Sequence, residues 1–565
     1  MPLLKIPFGR ATAFCRSSKF RLVGHRHFAV CQNCVWASNG ILPLVKIPSG
    51  RATAFCRWSK LRLDEQRHFA VGQKFAWTDN GILPFVKNLS GRVTALRKAV
   101  DKTGKNRYSG RMILMQKYAE VEPSFFDGRD FGGSIDTVKA VLADVRARGD
   151  SALAEYAARF DVAAPATLAI PMAELKAAAD SLRQNNPDLY AAIQYSHDLA
   201  LRFAQKQRES FDDFETELAP GVFTGQKNIP VDRAGVYVPA GRFPLVSTVV
   251  MTVTPAVAAG VKEIVLCTPP RVHPDDKAAA VQAGQGVPGK PFVGGKPYAD
   301  AGILAAAYIC GATKVFACGG AQAIGAMAFG TQSVPRVDVI VGPGNKFVAE
   351  AKKLVYGTVG IDMIAGPTEV FIIADKTANP AWVAADLLAQ AEHDVVAQPV
   401  LATDSADLAR AVAQEIEKQL AVLPTKATAA ESIKNCGRII LCDSLEQAAD
   451  VANRKSPEHL ELAMADGAER DRIAALVHNY GSLFIGHGSA EVFGDYAAGL
   501  NHTLPTSGSA RFTGGLSVRM FLKTVTTLRT VEGSSGAVDS ARMSGILGDA
   551  EGLAGHARAA RIRIE

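Results

Sequence analysis

The last third of the chain concentrates residues that could bind a metal and move protons. They are Gln390-Ala391-Glu392-His393, Glu458-His459, Asp495 with Asn501-His502, and Glu551 with His556. A donor set of amide, imidazole and carboxylate suits Zn2+. Spacing i,i+3 places Gln390 and His393 on one face of a helix, where both could touch one ion. By itself that pair reads equally as a polar helix end satisfied by water. Glu458-His459 follows Pro457 and so sits at a turn or element start. An acid beside an imidazole that titrates near neutrality suits general-base work, although an isolated Glu-His pair is usually only solvated. Asp495 falls in a Gly-bounded loop between Gly494 and Gly499, as an oxygen ligand or a backbone cap. Asn501 or His502 could bind a polar substrate. Glu551 and His556 share one expected helix, but their offset is poor for a single ion, so separate metal and substrate roles fit them better.

From about Met115, short apolar strands alternate with helices. Helices are expected at 134–146, 151–160, 301–310 and 346–355, with helical structure from about 541 to 560. Strands are expected at 235–239, 263–267, 314–317, 337–341, 369–374, 438–442 and 483–485. Continuous apolar strands between helices imply parallel sheets covered on both faces. A helix starting at Asn379-Pro380, with Asn as cap and Pro in the first turn, carries Gln390 and His393 at its end. Gly319-Gly320-Ala321-Gln322 and Gly342-Pro343-Gly344-Asn345 each follow a strand, where a nucleotide could approach the backbone. As isolated signals both are weak, since a tight turn also needs Gly. The Gly- and Pro-rich stretch 272–298 interrupts one βα unit and reads as a surface insertion loop.

Residues 1–111 are a different object. Ala11-Thr12-Ala13-Phe14-Cys15-Arg16 returns as Ala52-Thr53-Ala54-Phe55-Cys56-Arg57, and Asn39-Gly40-Ile41-Leu42-Pro43 returns as Asn80-Gly81-Ile82-Leu83-Pro84. Such near-identity over barely two units looks like recent duplication rather than a folded array. The segment carries 21 Lys and Arg against four Asp and Glu, whereas the remainder carries 42 basic and 51 acidic residues. The formal charge of +8 therefore belongs to the extension, and the body is mildly acidic. A nucleic-acid reading would rest wholly on residues 1–111. We read them as a basic, repetitive extension, non-catalytic or a disordered tail, with Met112 or Met115 as the expected beginning of the body. No apolar run is long enough for a membrane span. Nine scattered Cys read as free thiols of a reducing compartment, so the expected location is cytoplasmic.

From about Met115 to Glu565 the chain resembles histidinol dehydrogenase. The resemblance is carried by Gly235-Val236-Tyr237-Val238-Pro239, Gly319-Gly320-Ala321-Gln322, Gly342-Pro343-Gly344-Asn345 and Asp362-Met363-Ile364-Ala365-Gly366-Pro367-Thr368-Glu369. It continues through Gln390-Ala391-Glu392-His393, Ser456-Pro457-Glu458-His459, Gly494-Asp495-Tyr496, Asn501-His502-Thr503-Leu504-Pro505-Thr506 and Glu551-Gly552-Leu553. The resemblance implies α/β architecture, with two Rossmann-like, mainly parallel domains, small helical N- and C-terminal parts, and an intertwined homodimer. Expected divisions are 1–111, 112–232, 233–376 with the insertion 272–298, 377–510, and a C-terminal segment 511–565 that completes the partner's site. It implies Zn2+- and NAD-dependent oxidation of L-histidinol through the aldehyde to L-histidine, with no nucleic-acid or membrane partner. Gln390, His393, Asp495 and His556 would hold Zn2+. Glu458 and His459 would be the acid/base pair, and Tyr237, Gln322 and Asn345 would contact NAD. Thr368, His502 and Glu551 would hold substrate, together with His459 and the metal-site residues. Three departures stand out: the extension, the insertion, and Thr368 where many members have Ser. The run Phe521-Leu522-Lys523-Thr524-Val525-Thr526 resembles relatives that oxidise sulfonated diols, which gives a second substrate expectation.

Overall fold

The structure is a computed structural model that describes residues 112–128, 134–241 and 244–565, together with short strand pieces between Val30 and Ala76. Contacts divide the chain into Met1–Asn106 and Arg107–Glu565. In the first unit Val30–Cys31, Cys34–Ala37 and Gly40–Leu42 form a small antiparallel sheet. Phe55–Arg57 pairs with Lys74–Ala76, and Leu61–Leu63 with Arg67–Phe69. The rest of the repeat lies outside the described residues.

The second unit holds two six-stranded sheets. In the first, the order is Ala169–Ile170, Lys314–Ala317, Glu263–Thr268, Arg233–Tyr237, Val339–Val341, Gly360–Ile361. All pairings are parallel except that of the edge strand Ala169–Ile170. Helices cover both faces, so the strands are apolar on both sides: Val236, Val265, Leu266, Ile340 and Val341 are fully buried. Chain order reverses beside Arg233–Tyr237, which puts Tyr237 and the loop after Val341 at a topological switch point, the usual place for a ligand.

The second sheet repeats the plan, ordered Ser482–Ile485, His459–Ala463, Glu369–Ala374, Gln398–Thr403, Arg438–Leu441, Leu114–Lys117, all parallel. The expected α/β class with two Rossmann-like parallel sheets is what the chain adopts. A third, antiparallel sheet joins Phe214–Ala219 and Val222–Pro230 to the late strand Leu522–Thr530.

Four local readings need correction. Asp495 is not in a loop but in the helix Glu491–Tyr496. Gly494 serves close packing there, since a Cβ would lie 2.7 Å from the Phe484 ring. The C-terminal helix is two helices, Ser535–Ala550 and Ala554–Arg561, broken where Gly552 takes φ +74°. The insertion is not a bare loop: it contains the helix Lys277–Gln282 and a strand Phe292–Val293 paired with Ala163–Ala164. Met115 is not a free beginning, because it lies buried within the edge strand Leu114–Lys117, next to buried Ile113.

That edge strand generates a prediction. Removing residues 1–111 should leave the melting temperature of the body unchanged. Removing 1–117 should cost roughly 3 kcal/mol or more, since two buried apolar side chains leave the core. Thermal unfolding of the two truncations checks this; equal stability would contradict the edge-strand role.

Candidate active site

The site forms at the amino-terminal edge of the second sheet. Thr368 and Glu369 open one strand, and Glu458 and His459 open its parallel neighbour. The turn before His459 is set by its sequence. Ser456 ends the helix Leu445–Lys455 at φ 53°, a left-handed conformation that costs a non-Gly residue energy. Arg511 steadies it, its Nε donating to Ser456 Oγ at 3.1 Å and its Nη2 to the Arg454 carbonyl at 2.6 Å. Lys455, buried, lies 3.6 Å from the Glu369 carboxylate and so ties the two strand starts together.

His459 is buried, with Nδ1 3.0 Å from the Glu369 carbonyl oxygen. A carbonyl only accepts, so Nδ1 carries hydrogen and Nε2 is where a proton can come and go. Nε2 faces Asp495 Oδ1 at 3.6 Å, too long for a strong hydrogen bond, and both atoms are buried without another partner. Nδ1 also lies 3.7 Å from Glu458 Oε2 and 3.6 Å from Glu491 Oε2. Burial works against a charged imidazole. The surrounding Glu458, Glu491 and Asp495 outweigh it and hold His459 well above the ordinary imidazole range.

The carboxylates divide. Burial pushes Glu458 up to about 7, against the pull of His459, the Thr368 hydroxyl and the Glu369 N–H. Thr368 Oγ1 lies 2.6 Å from Glu458 Oε2 and 2.7 Å from Gln390 Oε1, so its single hydrogen can serve one of them at a time. The Glu369 N–H donates to Glu458 at 2.9 Å. Burial takes Glu491 up to about 8 although His459 opposes it. Asp495 goes the other way: burial would raise it, but His459, His502 and His393 hold it below the ordinary carboxylate range. One carboxyl is thus poised near neutrality beside one that stays ionised, a division suited to proton transfer.

The expected residues are only partly assembled within one chain. Gln390 is fully buried, donating from Nε2 to Glu491. His393 follows on the exposed end of the helix Pro380–Ala391, where Asp495 and His502 feel its charge. His502 is half-buried, its Nε2 3.1 Å from Ser247 Oγ on the helix Val246–Ala259, so it bridges toward the first sheet. Burial lowers its basicity while Asp495 raises it. Glu551 and His556 are exposed on the C-terminal helix pair, and their side chains make no hydrogen bond or ion pair with the described residues. The metal-capable group among the described residues is His459, Glu491 and Asp495, whose ligand atoms lie within 4.8 Å of one another. Of these, Asp495 alone belongs to the expected Zn2+ set.

Sequence reasoning missed Glu491 and Glu461. Glu461, buried on the same strand as His459, accepts from the Glu491 N–H at 3.0 Å and fixes the start of its helix. A carboxylate between Leu460 and Leu462 in a two-sided apolar strand was the available signal.

At the first sheet Tyr237, Gln322 and Asn345 lie at or beyond the carboxyl ends of the strands. The Tyr237 hydroxyl accepts from the Gly320 N–H at 3.0 Å, and Gln322 folds back over Gly320. Asn345 caps the helix Lys346–Val355, its Oδ1 accepting from the Phe347 and Val348 N–H groups, which leaves its amide NH2 to donate. The loop before it is held by a buried Lys352–Asp362 pair, with Lys352 Nζ donating to the Gly342 carbonyl at 2.9 Å and the Gly342 N–H donating to Asp362 at 2.8 Å.

Two doubly wound sheets, with a topological switch point on one and a buried acid–imidazole centre on the other, suit a dehydrogenase. The family model for histidinol dehydrogenase matches residues 129–296 and 291–564. A sulfopropanediol 3-dehydrogenase from Ruegeria pomeroyi is 43% identical over 435 residues, which is 76% of this chain and 92% of its own length. A histidinol dehydrogenase from Streptococcus mutans is 43% identical over 431 residues, again 76% and 92%. The crystal structure of histidinol dehydrogenase from Elizabethkingia anophelis superposes with a TM-score of 0.70 at 33% identity, covering 80% of this chain and 98% of that one. The chain belongs to the histidinol dehydrogenase family and is an NAD-dependent dehydrogenase.

Thr368→Val removes the hydroxyl beside Glu458 and leaves its carboxylate less stabilised. Because the ionised form is the base, the acidic limb of the kcat/KM profile should move up by about half to one pH unit. An unmoved limb would show that the hydroxyl does not tune Glu458.

Proposed function

We propose that this chain catalyses the four-electron oxidation of L-histidinol, through the aldehyde, to L-histidine, the closing steps of histidine synthesis. The observation that carries this reading is the consecutive pair Glu458-His459. Each of its members is buried, and each is tuned as a proton carrier in a different way.

His459 first gives its Nε2 proton to the Asp495 side of the site, 3.6 Å away, and its free Nε2 then accepts the alcohol proton as hydride leaves the carbinol carbon. NAD supplies the hydride acceptor, with Tyr237, Gln322 and Asn345 as its contacts at the switch point. The second oxidation needs water added to the aldehyde, and Glu458, with a carboxyl near 7, takes the proton from that water. Thr368 and His502 would orient the substrate. Burial of the pair keeps bulk water from the aldehyde.

The donor chemistry fits a metal. Asp495 Oδ1 is buried without a hydrogen-bond partner, and the carboxylate is held ionised by imidazoles around it. Gln390, His393 and Asp495 of one subunit, with His556 from a second copy, would hold Zn2+. A bound Zn2+ would fix an imidazole- and amine-bearing substrate as well as act as a Lewis acid.

The second copy is argued from the C-terminal helix pair. It exposes Met543 (54%), Ile546 (54%), Leu547 (64%) and Ile562 (54%), an apolar face that needs cover. A homodimer that buries this face would carry Glu551 and His556 into the neighbouring site.

One relative favours a second substrate reading. The 43% identity to a sulfopropanediol 3-dehydrogenase, with the run Phe521–Thr526 noted above, supports a sulfonated diol in place of histidinol. The cofactor and proton chemistry would be the same.

With Zn2+, NAD and L-histidinol, the purified protein should form two NADH for each alcohol consumed. Glu458→Gln should slow the second oxidation by roughly 100-fold and stop near one NADH, with aldehyde released. Turnover confined to a sulfonated diol would assign the second substrate; no NADH from either would overturn the reading.

A further inference from the structure

Two features left unused by this chemistry meet at the first sheet: the carboxyl of Asp161 and the 272–298 insertion. Asp161 closes the helix Asp150–Phe160. Its Oδ2 is buried and has no hydrogen-bond partner among the described residues. Burial pushes the carboxyl up to about 7, against the pull of Arg271. Tyr237 and Cys318 both feel its charge. The segment that follows Asp161 runs along the sheet, where the Ala317 N–H donates to the Leu168 carbonyl at 2.8 Å and Leu168 shares a buried cluster with Tyr237 and Cys318. Tyr237 ends the strand Arg233–Tyr237, Arg271 follows Glu263–Thr268, and Cys318 follows Lys314–Ala317. A buried acceptor without a donor at this crevice asks for a ligand that brings one.

The insertion holds Asp161 in place. Its strand Phe292–Val293 pairs with Ala163–Ala164, the residues just beyond Asp161. Phe292 N–H donates to the Val162 carbonyl at 3.0 Å, and Ala166 N–H to the Gly295 carbonyl at 2.9 Å. The far end closes on the rim, where Arg271 N–H donates to the Tyr298 carbonyl at 2.9 Å.

In doubly wound sheets an acid beyond the first βα unit receives a ribose hydroxyl of NAD, whereas an Arg nearby accommodates the 2′-phosphate of NADP. Here the strand Glu263–Thr268 runs out through Pro269-Pro270-Arg271, with no acid. Arg271 is already engaged, donating from Nη2 to the Ala240 and Gly241 carbonyls. The missing acid is therefore delivered from outside the sheet.

We propose that Asp161 receives the adenosine-ribose hydroxyls of NAD and excludes the 2′-phosphate of NADP, with the insertion as the brace that sets its position. The proposal rests on the NAD reading above. A ribose diol supplies the O–H donors that Asp161 Oδ2 lacks, whereas a 2′-phosphate would meet a carboxylate of like charge.

The test uses the full chain, titrated calorimetrically with NAD and with NADP, and its melting temperature without ligand. Asp161→Asn should weaken NAD roughly tenfold or more and leave NADP no weaker. Its ligand-free melting temperature should not fall, because an uncompensated buried acid has been removed. Asp161→Ser, which opens space, should bring NADP and NAD affinities together. Unchanged NAD affinity in both variants, with the wild type binding NAD, overturns the role of Asp161 alone. Equal weakening of NAD and NADP with a lowered melting temperature marks a structural residue and also overturns it. A wild-type chain that binds no NAD overturns the cofactor reading beneath it.

Discussion

The site depends on one constraint: several carboxylates must be buried around a single imidazole without leaving their charges uncompensated. Glu458, Glu461, Glu491 and His459 are all nearly inaccessible, and Asp495 sits at their open side. Like charges this close cannot all be ionised in a dry environment. The structure resolves the conflict by raising Glu458 and Glu491 toward or past neutrality, while His459 takes the positive charge and Asp495 the negative one. Supporting hydrogen bonds come from backbone at the two strand starts, so the sheet itself sets the protonation pattern.

The same constraint explains the surroundings. Glu369 spends its carboxylate on buried Lys455 and its carbonyl on His459, joining helix, strand and base in one unit. Gln390 is held at both ends of its amide, by Thr368 and Glu491, which fixes its rotamer before any ligand arrives. Gly481 leaves no room for a side chain, since a Cβ would lie 2.5 Å from the Glu458 carbonyl oxygen. These contacts give the proton carriers a rigid frame, as catalytic groups require.

Much of this was legible in the sequence. Parallel sheets were readable because strands such as 263–268 and 369–374 are apolar on both faces, a pattern only a doubly covered sheet produces. Glu458 and His459 were readable as candidates from their adjacency behind Pro457, and the resemblance to histidinol dehydrogenase supplied their expected role. Glu491 was not: an acid in the first turn of a short helix is ordinary for the macrodipole, and its partner Gln390 lies 101 residues earlier. Asp495 was not placeable from sequence, because Gly494 looks like a turn residue although it sits in a helix and lets Phe484 approach. The break at Gly552 was also readable as a helix-ending glycine. Asp161 carries no local mark, since its importance arises only when the insertion folds back onto the segment beside it.

In the proposed dimer the acid–imidazole centre of one chain is completed by the C-terminal helices of another. Mixed dimers test it most directly. His459→Asn and His556→Asn each disable a different part of the site. If the parts come from different chains, co-expressing the two inactive variants should restore about a quarter of wild-type activity, because half the dimers are hybrids and each hybrid has one intact site. No recovery in dimers proven by mass to be hybrid would contradict the shared site and place His556 with the His459 of its own chain.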